Sequence, residues 1–225
     1  MKILAISDLH GYLPNLPEVD VVCIVGDIVP SKCDGDIEAQ WHWYNEEYLP
    51  WVDNLKSRFV ITVAGNHDKF FSKYRPITSE RHIHLENSRV VIDGCYFYGT
   101  PNTSKLNSDL SFKPYNKELA EIFGRIPPKV DFLLAHSAPY DANGCGFDAP
   151  SGLDIGSREL ADVIYHRDIS YLFCGHIHTG NHSLEEWHGI KIANVAYTTD
   201  GKPSYAPLLV EWNNQPKPTS DLREV

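Results

Sequence analysis

Five apolar runs in this chain each end in a short block of polar residues. The densest block follows the run 59–64, where Gly65-Asn66-His67-Asp68 brings a carboxamide, an imidazole and a carboxylate together. Burying such groups without partners costs free energy, so no hydrophobic core needs this combination. Open α/β sheets place their chemistry at the carboxyl ends of strands. The block therefore predicts a buried strand with a functional site directly after it.

The other four blocks repeat this arrangement. They are Asp8-Leu9-His10 after the run 2–7, Gly26-Asp27 after 19–25, His136 after 131–135, and Gly175-His176-Ile177-His178 after 170–174. Carboxylate, amide and imidazole donors together suit divalent ions such as Mn, Fe or Zn, and the lack of Cys donors argues against a structural zinc site. Seven candidate ligands exceed the needs of one ion and fit two ions that share a carboxylate. These ligands are Asp8, His10, Asp27, Asn66, His136, His176 and His178.

The segments between the blocks predict an ordinary mixed domain. Apolar spacing predicts a helix from residue 37 that either kinks at Pro50 or stops there and restarts through Trp51, Val52 and Leu55. It also predicts a second helix over about 115–123 and a third capped by Ser157. Strands are expected over 89–92 and 96–98 as a hairpin around Asp93-Gly94, over 82–85 with structural roles for its two histidines, and over 190–196 and 208–212. Polar and Gly-rich loops fill 100–113 and 141–156. We predict a single domain over 1–212 and a polar tail over 213–225.

Charge and cysteine content limit the partners and the compartment. Lys plus Arg number 20 against 30 Asp plus Glu, a net charge of −10, which argues against an extended nucleic-acid footprint or an anionic membrane surface. A small phosphate ester held by metal ions is compatible with that charge. The five Cys include no C-x-x-C pair, which predicts free thiols in a reducing cytoplasm. We expect Cys145 to be a solvent-facing thiol and not a nucleophile.

Nothing in the sequence predicts a membrane anchor or an oligomeric state. The apolar run at the N-terminus is too short for a signal peptide. No stretch of the chain approaches the length of a transmembrane span. These features, with the free thiols, predict a cytoplasmic protein.

Taken in order, the blocks resemble those of the calcineurin-like metallophosphoesterase family, from residue 8 to residue 178. The resemblance implies an α/β fold, a four-layer α-β-β-α sandwich of two mixed β-sheets flanked by helices. It also implies two divalent metal ions at the strand ends. One ion would be held by Asp8, His10, Asp27 and His178, and the other by Asp27, Asn66, His136 and His176. By the same resemblance, His67 would be the proton donor beside the phosphate and Asp68 would support it.

The implied activity is hydrolysis of a small phosphate ester by attack of metal-bound hydroxide. Tyr98-Gly99-Thr100-Pro101, with the later Gly-His-Ile-His-Thr-Gly, resembles the small phosphodiesterase branch related to brain-expressed metallophosphoesterase-domain proteins. A phosphodiester substrate is therefore favoured over a phosphomonoester. The block His136-Ser137-Ala138-Pro139 keeps the ligand of the family but changes the turn. Purple acid phosphatases place a Tyr where this chain has Pro30, which argues against a charge-transfer iron site.

Two alternative functions remain within this resemblance. One is a protein-interaction scaffold with a degraded site, as in the retromer subunit that shares the fold. The complete set of ligand positions and the presence of His67 weigh against it. The other is a nuclease of the same superfamily, which the net charge of −10 and the lack of a DNA-capping domain disfavour.

Overall fold

Two large β-sheets form the centre of the protein in this computed structural model, which describes residues 1–103 and 116–213. The strands are β1 (Lys2–Ile6), β2 (Val19–Val25), β3 (Ser57–Val63), β4 (His82–Leu85), β5 (Ser88–Ile92), β6 (Cys95–Thr100), β7 (Lys129–Ala135), β8 (Phe147–Asp148), β9 (Leu153–Asp154), β10 (Asp168–Cys174), β11 (Glu185–Trp187), β12 (Ile190–Asn194), β13 (Thr198–Thr199), β14 (Lys202–Pro203) and β15 (Leu208–Glu211). Most of the predicted loop 100–113 and all but the first residue of the tail 213–225 lie outside the described residues.

Parallel pairing brings the polar blocks to one edge of the molecule. The first sheet has the order β15-β1-β2-β3-β4, and the second has β11-β12-β10-β7-β6-β5. Strands β1 to β4 are parallel to one another, as are β6, β7, β10 and β12. Their apolar runs suit such strands, which are covered on both faces. Because parallel strands end at the same edge, the residues after β1, β2 and β3 converge, and so do those after β7 and β10.

Helices cover the outer face of each sheet and complete the predicted four layers. They are α1 (Ile37–Trp43), α2 (Leu49–Asn54), α3 (Asn116–Phe123) and α4 (Arg158–Ile164). One apolar cluster fills the space between the sheets and includes Ile61, Phe97 and Phe132. A second joins α3 and α4 to the second sheet, and a third packs Tyr44 and Tyr48 against the first sheet. The α/β class with two mixed sheets and flanking helices is therefore confirmed.

The predicted helix over residues 37–48 continues past Pro50. Between α1 and α2 the chain forms a π-helical turn, Tyr44–Tyr48, and Pro50 lies in the first turn of α2. Proline is tolerated there because the first N–H groups of a helix have no partner inside it. Pro50 therefore lies in the first turn of a helical segment that begins at Leu49 and contains Trp51 and Val52, in agreement with the predicted restart.

The remaining predictions between the blocks are mostly confirmed. Residues 82–85 form β4, and β5 and β6 form the hairpin around Asp93-Gly94, with Ile92 paired to Cys95. The Gly-rich loop contains one unpredicted feature, the short hairpin of β8 and β9. Within the described residues, no helix is long and apolar enough to cross a membrane.

The expectation of a solvent-facing Cys145 is wrong. Its side chain is buried in the apolar cluster beneath the second sheet. The Asn194 side-chain amide donates to the Cys145 carbonyl at 3.0 Å and holds this part of the loop against β12. All five cysteines are free and buried.

Candidate metal centre

Four of the candidate ligands have left-handed backbone conformations. Their φ angles are 52° for Asp8, 44° for His10, 52° for Asp27 and 68° for His176. Non-glycine residues seldom adopt this region, and such outliers concentrate at functional sites. Hydrogen bonds hold two of these turns together, because the N–H of Asp8 donates to the Gly26 carbonyl and that of His10 to the Asp27 carbonyl. The backbone is thus turned locally so that these side chains point over the strand ends.

The first cluster consists of Asp8, His10 and His178, whose candidate ligand atoms all lie within 4.8 Å of one another. His178 Nε2 is 3.2 Å from Asp8 Oδ1 and 3.3 Å from His10 Nε2. The backbone N–H of His176 donates to both Asp8 oxygens, at 3.1 and 3.0 Å. Burial opposes ionisation of Asp8, but His178 holds the pKa of that carboxyl well below its usual range. The Asp8 carboxylate is therefore a charged, oriented candidate metal ligand.

The second cluster consists of Asp27, His136 and His176, joined by Asn66. His136 is completely buried, and its Nδ1 lies 2.8 Å from the Val25 carbonyl, which can only accept a proton. That contact assigns the proton to Nδ1 and directs Nε2 into the cluster. There Nε2 is 3.1 Å from Asn66 Oδ1 and 3.3 Å from Asp27 Oδ2.

The donor atoms of both clusters fit a divalent cation. Three atoms with lone pairs meet in a buried space, namely His136 Nε2, Asn66 Oδ1 and Asp27 Oδ2. Only a proton or a cation between them can satisfy all three. Burial alone would lower the pKa of His136, but Asp27 raises it to about 9, so a proton takes that place when no metal is bound. Carboxylate, imidazole and amide donors are the ligands that Mn, Fe or Zn ions accept.

Two motif glycines are required by these side chains. A Cβ on Gly65 would collide with the Asp27 carboxylate and backbone nitrogen, and one on Gly175 would collide with Asp8 Oδ2 and Ser7 Oγ. The strand ends can approach this closely only where no side chain intervenes. Glycine before Asn66 and before His176 is therefore part of the construction of the site.

His67 lies beside both clusters, at the edge of the site. Its backbone N–H donates to Asp27 Oδ1 at 2.8 Å, and its ring packs edge-on against His10 with the centroids 5.2 Å apart. The ring is partly exposed, unlike the buried Asp27. Its Nδ1 lies 3.2 Å from a carboxylate oxygen of Asp34.

The arrangement agrees with a comparison against known families. The family model for calcineurin-like phosphoesterases matches residues 1–180. The chain belongs to the calcineurin-like phosphoesterase family. All seven predicted ligand positions lie inside the matched region.

Relatives of this chain include proteins with different names. The human metallophosphoesterase domain-containing protein 1 is 23% identical over 242 residues, covering 93% of this chain and 70% of that protein. A probable rhamnogalacturonate lyase C of Emericella nidulans is 26% identical over 197 residues, covering 80% of this chain but only 17% of that protein. The chain thus spans about a sixth of the fungal relative.

Solved structures show the same fold at low identity. The crystal structure of phosphopantetheinyl hydrolase (PptH) from Mycobacterium tuberculosis aligns with a TM-score of 0.52 and 15% identity. The alignment covers 87% of this chain and 88% of that one. At this identity the likeness concerns the fold alone.

The structure corrects the expected support of His67 by Asp68. The buried Asp68 carboxylate accepts three backbone N–H groups instead, from Ile28 at 2.9 Å, Val29 at 3.1 Å and Gly65 at 2.8 Å. Successive side chains at this turn point in different directions, so Asp68 faces inward. Burial and the charge of Asp27 raise the pKa of Asp68 to about 7. Asp68 thus ties the turn after β2 to the turn after β3.

Sequence reasoning missed several residues around the candidate metal centre. The Thr198 hydroxyl donates to the Asp8 carbonyl at 2.8 Å, and the Ser7 hydroxyl donates to the Val25 carbonyl at 2.7 Å. Asp34 approaches His67, as described above. Thr198 and Asp34 lie outside the polar blocks, and Ser7 looks like part of a strand, so no local pattern singled them out.

Proposed function

We propose that this phosphoesterase uses two divalent metal ions to hydrolyse a small phosphodiester. The supporting observation is the pair of three-residue donor clusters where the strand ends of the two sheets meet, with His67 beside them. Asp27 belongs to the second cluster, and its charge acts on His10 of the first. It is therefore the residue suited to bridge two ions.

Each group has a role in this hydrolysis. Two adjacent divalent ions, when bound, activate water and neutralise charge on the phosphate oxygens. Asp8, His10, Asp27 and His178 would hold one ion, and Asp27, Asn66, His136 and His176 the other. His67 is outside both clusters and partly exposed, so its imidazole is free to give a proton to the leaving oxygen. The hydrogen bond from the His67 backbone N–H to Asp27 fixes the backbone position from which that imidazole extends.

The charges at the site favour a diester over a monoester. Each ion pair among the described site residues joins a His to an Asp. No Arg or Lys in the described part of the chain pairs with them. Proteins that bind the extra charge of a terminal phosphate commonly use bidentate Arg for it. A diester, which carries one charge fewer, fits this site better.

Other properties belong to the same proposal. We propose Mn, Fe or Zn as the bound metals, because the donors are a mixture of imidazole and oxygen. The net charge of −10 supports a small substrate over extended nucleic acid. The five buried free thiols support a reducing compartment such as the cytoplasm.

The test compares bis-p-nitrophenyl phosphate with p-nitrophenyl phosphate, in the presence of Mn, Zn or Fe(II). We expect metal-dependent hydrolysis with a higher kcat/KM for the diester, and loss of activity in Asp27→Asn. Asp20→Asn is the matched control, since Asp20 lies in β2, the strand that precedes Asp27, but accepts the Lys2 backbone N–H and lies 3.7 Å from Arg58. Equal activity without metal, or in Asp27→Asn, would overturn the proposal, and a preference for the monoester would overturn the substrate class.

A further inference from the structure

We propose that Asp34 is a positioning residue that orients the His67 imidazole toward the leaving group. The inference rests on the proposed phosphoesterase function. Asp34 takes the supporting role that the resemblance gave to Asp68, whose carboxylate is fully engaged by backbone N–H groups. Asp34 comes from a segment that is distant from His67 in sequence.

The contact itself is specific to one ring nitrogen. Asp34 Oδ1 lies 3.2 Å from His67 Nδ1, and within the described residues that nitrogen has no hydrogen-bond partner. The contact is close enough for ion pairing but is not an aligned hydrogen bond. Such contacts often tighten only when substrate binds. With Nδ1 facing Asp34, Nε2 is the ring nitrogen left to face a substrate.

Among the described residues, no structural task explains the position of Asp34. Two acidic residues lie in this turn, and Asp36 is the one that caps α1, by accepting the Ala39 N–H at 3.0 Å. The Asp34 carboxylate accepts no hydrogen bond from any described backbone N–H. Its side chain is 40% exposed, so burial does not hold it beside the imidazole either.

The buried side chain of Gln40 fixes the distance between the two partners. Its amide nitrogen donates to the Cys33 carbonyl at 3.2 Å and to the His67 carbonyl at 3.0 Å. Its oxygen accepts the Phe70 N–H at 3.0 Å. One fully buried amide on α1 therefore joins the residue before Asp34 to the backbone of His67. A long helical side chain that does this holds two separate loops in register.

The turn that contains Asp34 is also constrained from its own side. A 3₁₀ turn, Ser31–Cys33, precedes it, and the Asp34 N–H donates to the Ser31 carbonyl at 3.1 Å. The N–H of Asp36 donates to the Cys33 carbonyl, also at 3.1 Å. The carboxylate is thus presented by a turn closed at both ends, which favours a fixed direction over a mobile one.

The kinetic test uses Asp34→Asn, Asp34→Glu, His67→Ala and the double variant Asp34→Asn/His67→Ala. For a diester with an alkyl leaving group, we expect His67→Ala to lower kcat by about 100-fold or more and Asp34→Asn by about 10- to 100-fold. KM should stay within about threefold, and Asp34→Glu should recover part of kcat. Adding Asp34→Asn to His67→Ala should cost nothing further, because the two residues act as one unit.

Two comparisons separate positioning from a structural effect. With p-nitrophenolate, a weakly basic leaving group that needs no proton, Asp34→Asn should change kcat by less than about threefold. Asp36→Asn, the matched control in the same turn, should leave kcat unchanged with both leaving groups. An unchanged kcat for Asp34→Asn with the alkyl ester, or an equal loss with both esters, would overturn the proposal.

A direct spectroscopic readout does not depend on turnover. Imidazole ¹⁵N resonances of His67, assigned by comparison with His67→Gln, should show a protonated Nδ1 that shifts in Asp34→Asn and not in Asp36→Asn. Bound metal, measured by elemental analysis, should be equal in the wild type, His67→Gln, Asp34→Asn and Asp36→Asn. A wild-type protein that binds metal but hydrolyses no ester would refute the proposed function. Unchanged His67 resonances in Asp34→Asn would refute the positioning role alone.

Discussion

The backbone N–H of His67 donates to Oδ1 of Asp27 at 2.8 Å, while Oδ2 of the same carboxylate lies 3.3 Å from His136 Nε2. The Asp27 carboxylate therefore fixes the backbone of His67, the proposed proton donor, and also belongs to the proposed metal centre. Any change at Asp27 should disturb both together, whereas a change in the His67 ring should leave the donor clusters intact. This difference gives the proposed roles distinct signatures.

We predict that Asp27→Asn loses metal and activity together, whereas His67→Ala loses activity alone. Asparagine keeps the shape of Asp27 but removes the charge that can bridge two ions. Metal affinity should fall by more than the roughly 100-fold that loss of an outer-sphere partner costs. Isothermal titration with Mn and elemental analysis measure the two variants side by side. Full metal content in Asp27→Asn, or loss of metal in His67→Ala, would contradict the assigned roles.

We predict that Gly65→Ala damages the metal centre by steric displacement of Asp27. Its new Cβ would overlap the Asp27 carboxylate and backbone nitrogen, so the strand end must shift and metal affinity should fall at least about tenfold. Gly189→Ala is the control, because its φ of +80° carries backbone strain while its Cβ would meet nothing within 4 Å. That variant should lose about 1 kcal/mol of stability with metal binding unchanged. Equal metal affinity in both variants would refute the steric explanation.

The strand ends were predictable from sequence because parallel pairing makes local patterns converge. Each apolar run forms a strand, and the residue that follows it must reach the shared edge. Asp8 and Asp27 therefore meet at the edge of the first sheet, and packing of the two sheets brings His136 of the second sheet to Asp27. The sandwich of two sheets came with the family resemblance, and the order of strands in each sheet was not predicted from the sequence.

The immediate surroundings of His67 could not be predicted. Asp34 and Asp36 are identical in type and two residues apart, yet one caps a helix and the other faces an imidazole. Gln40 looks like an ordinary helical residue until α1 packs against the turn that follows β3. The family resemblance placed Asp68 beside His67, but the turn directs their side chains apart. Such contacts depend on tertiary packing, which leaves no local pattern.

We predict that metal binding stabilises the folded protein. A metal ion binds the donor clusters assembled around His136 and His178 in the folded chain, which the unfolded chain does not hold together, so binding favours the folded state even though a proton occupies His136 when metal is absent. An ion present at 1,000 times its Kd adds about 4 kcal/mol, which corresponds to roughly 10 °C in Tm for a domain of this size. Thermal unfolding in EDTA and in Mn measures the difference.

The control for metal stabilisation is a variant with an incomplete first cluster. Asp8→Asn should gain much less Tm from Mn than the wild type, because it lacks one charged ligand. The exposed substitution Glu38→Gln should gain as much as the wild type. If Mn raised the Tm of all three proteins equally, the stabilisation would come from elsewhere.

We predict that His82 makes stability depend on pH, independently of the metal centre. Its ring is buried in β4, and Nε2 lies 3.0 Å from the Thr62 hydroxyl, which in turn lies 2.8 Å from the Tyr48 hydroxyl. Burial lowers the pKa of His82 to about 4, with Asp53 opposing this and Arg81 adding to it. The unfolded chain takes up a proton on His82 near pH 6.5, so the contribution of the neutral His82 to the free energy of unfolding is complete above that pH. That contribution is lost as the pH falls from about 6.5 to about 4, by at most roughly 3 kcal/mol.

Urea unfolding in EDTA between pH 4 and pH 8 isolates this effect. His82→Gln should be less stable than the wild type at pH 8, because the packing and hydrogen bond of the imidazole are disturbed. Its stability should decline less on acidification, so the two curves should approach each other below pH 6.5. His42→Gln, at an exposed histidine, should run parallel to the wild type throughout. If the curve of stability against pH for His82→Gln ran parallel to that of the wild type, the prediction would be wrong. The buried imidazole would then take up its proton without opening the space between β3 and β4.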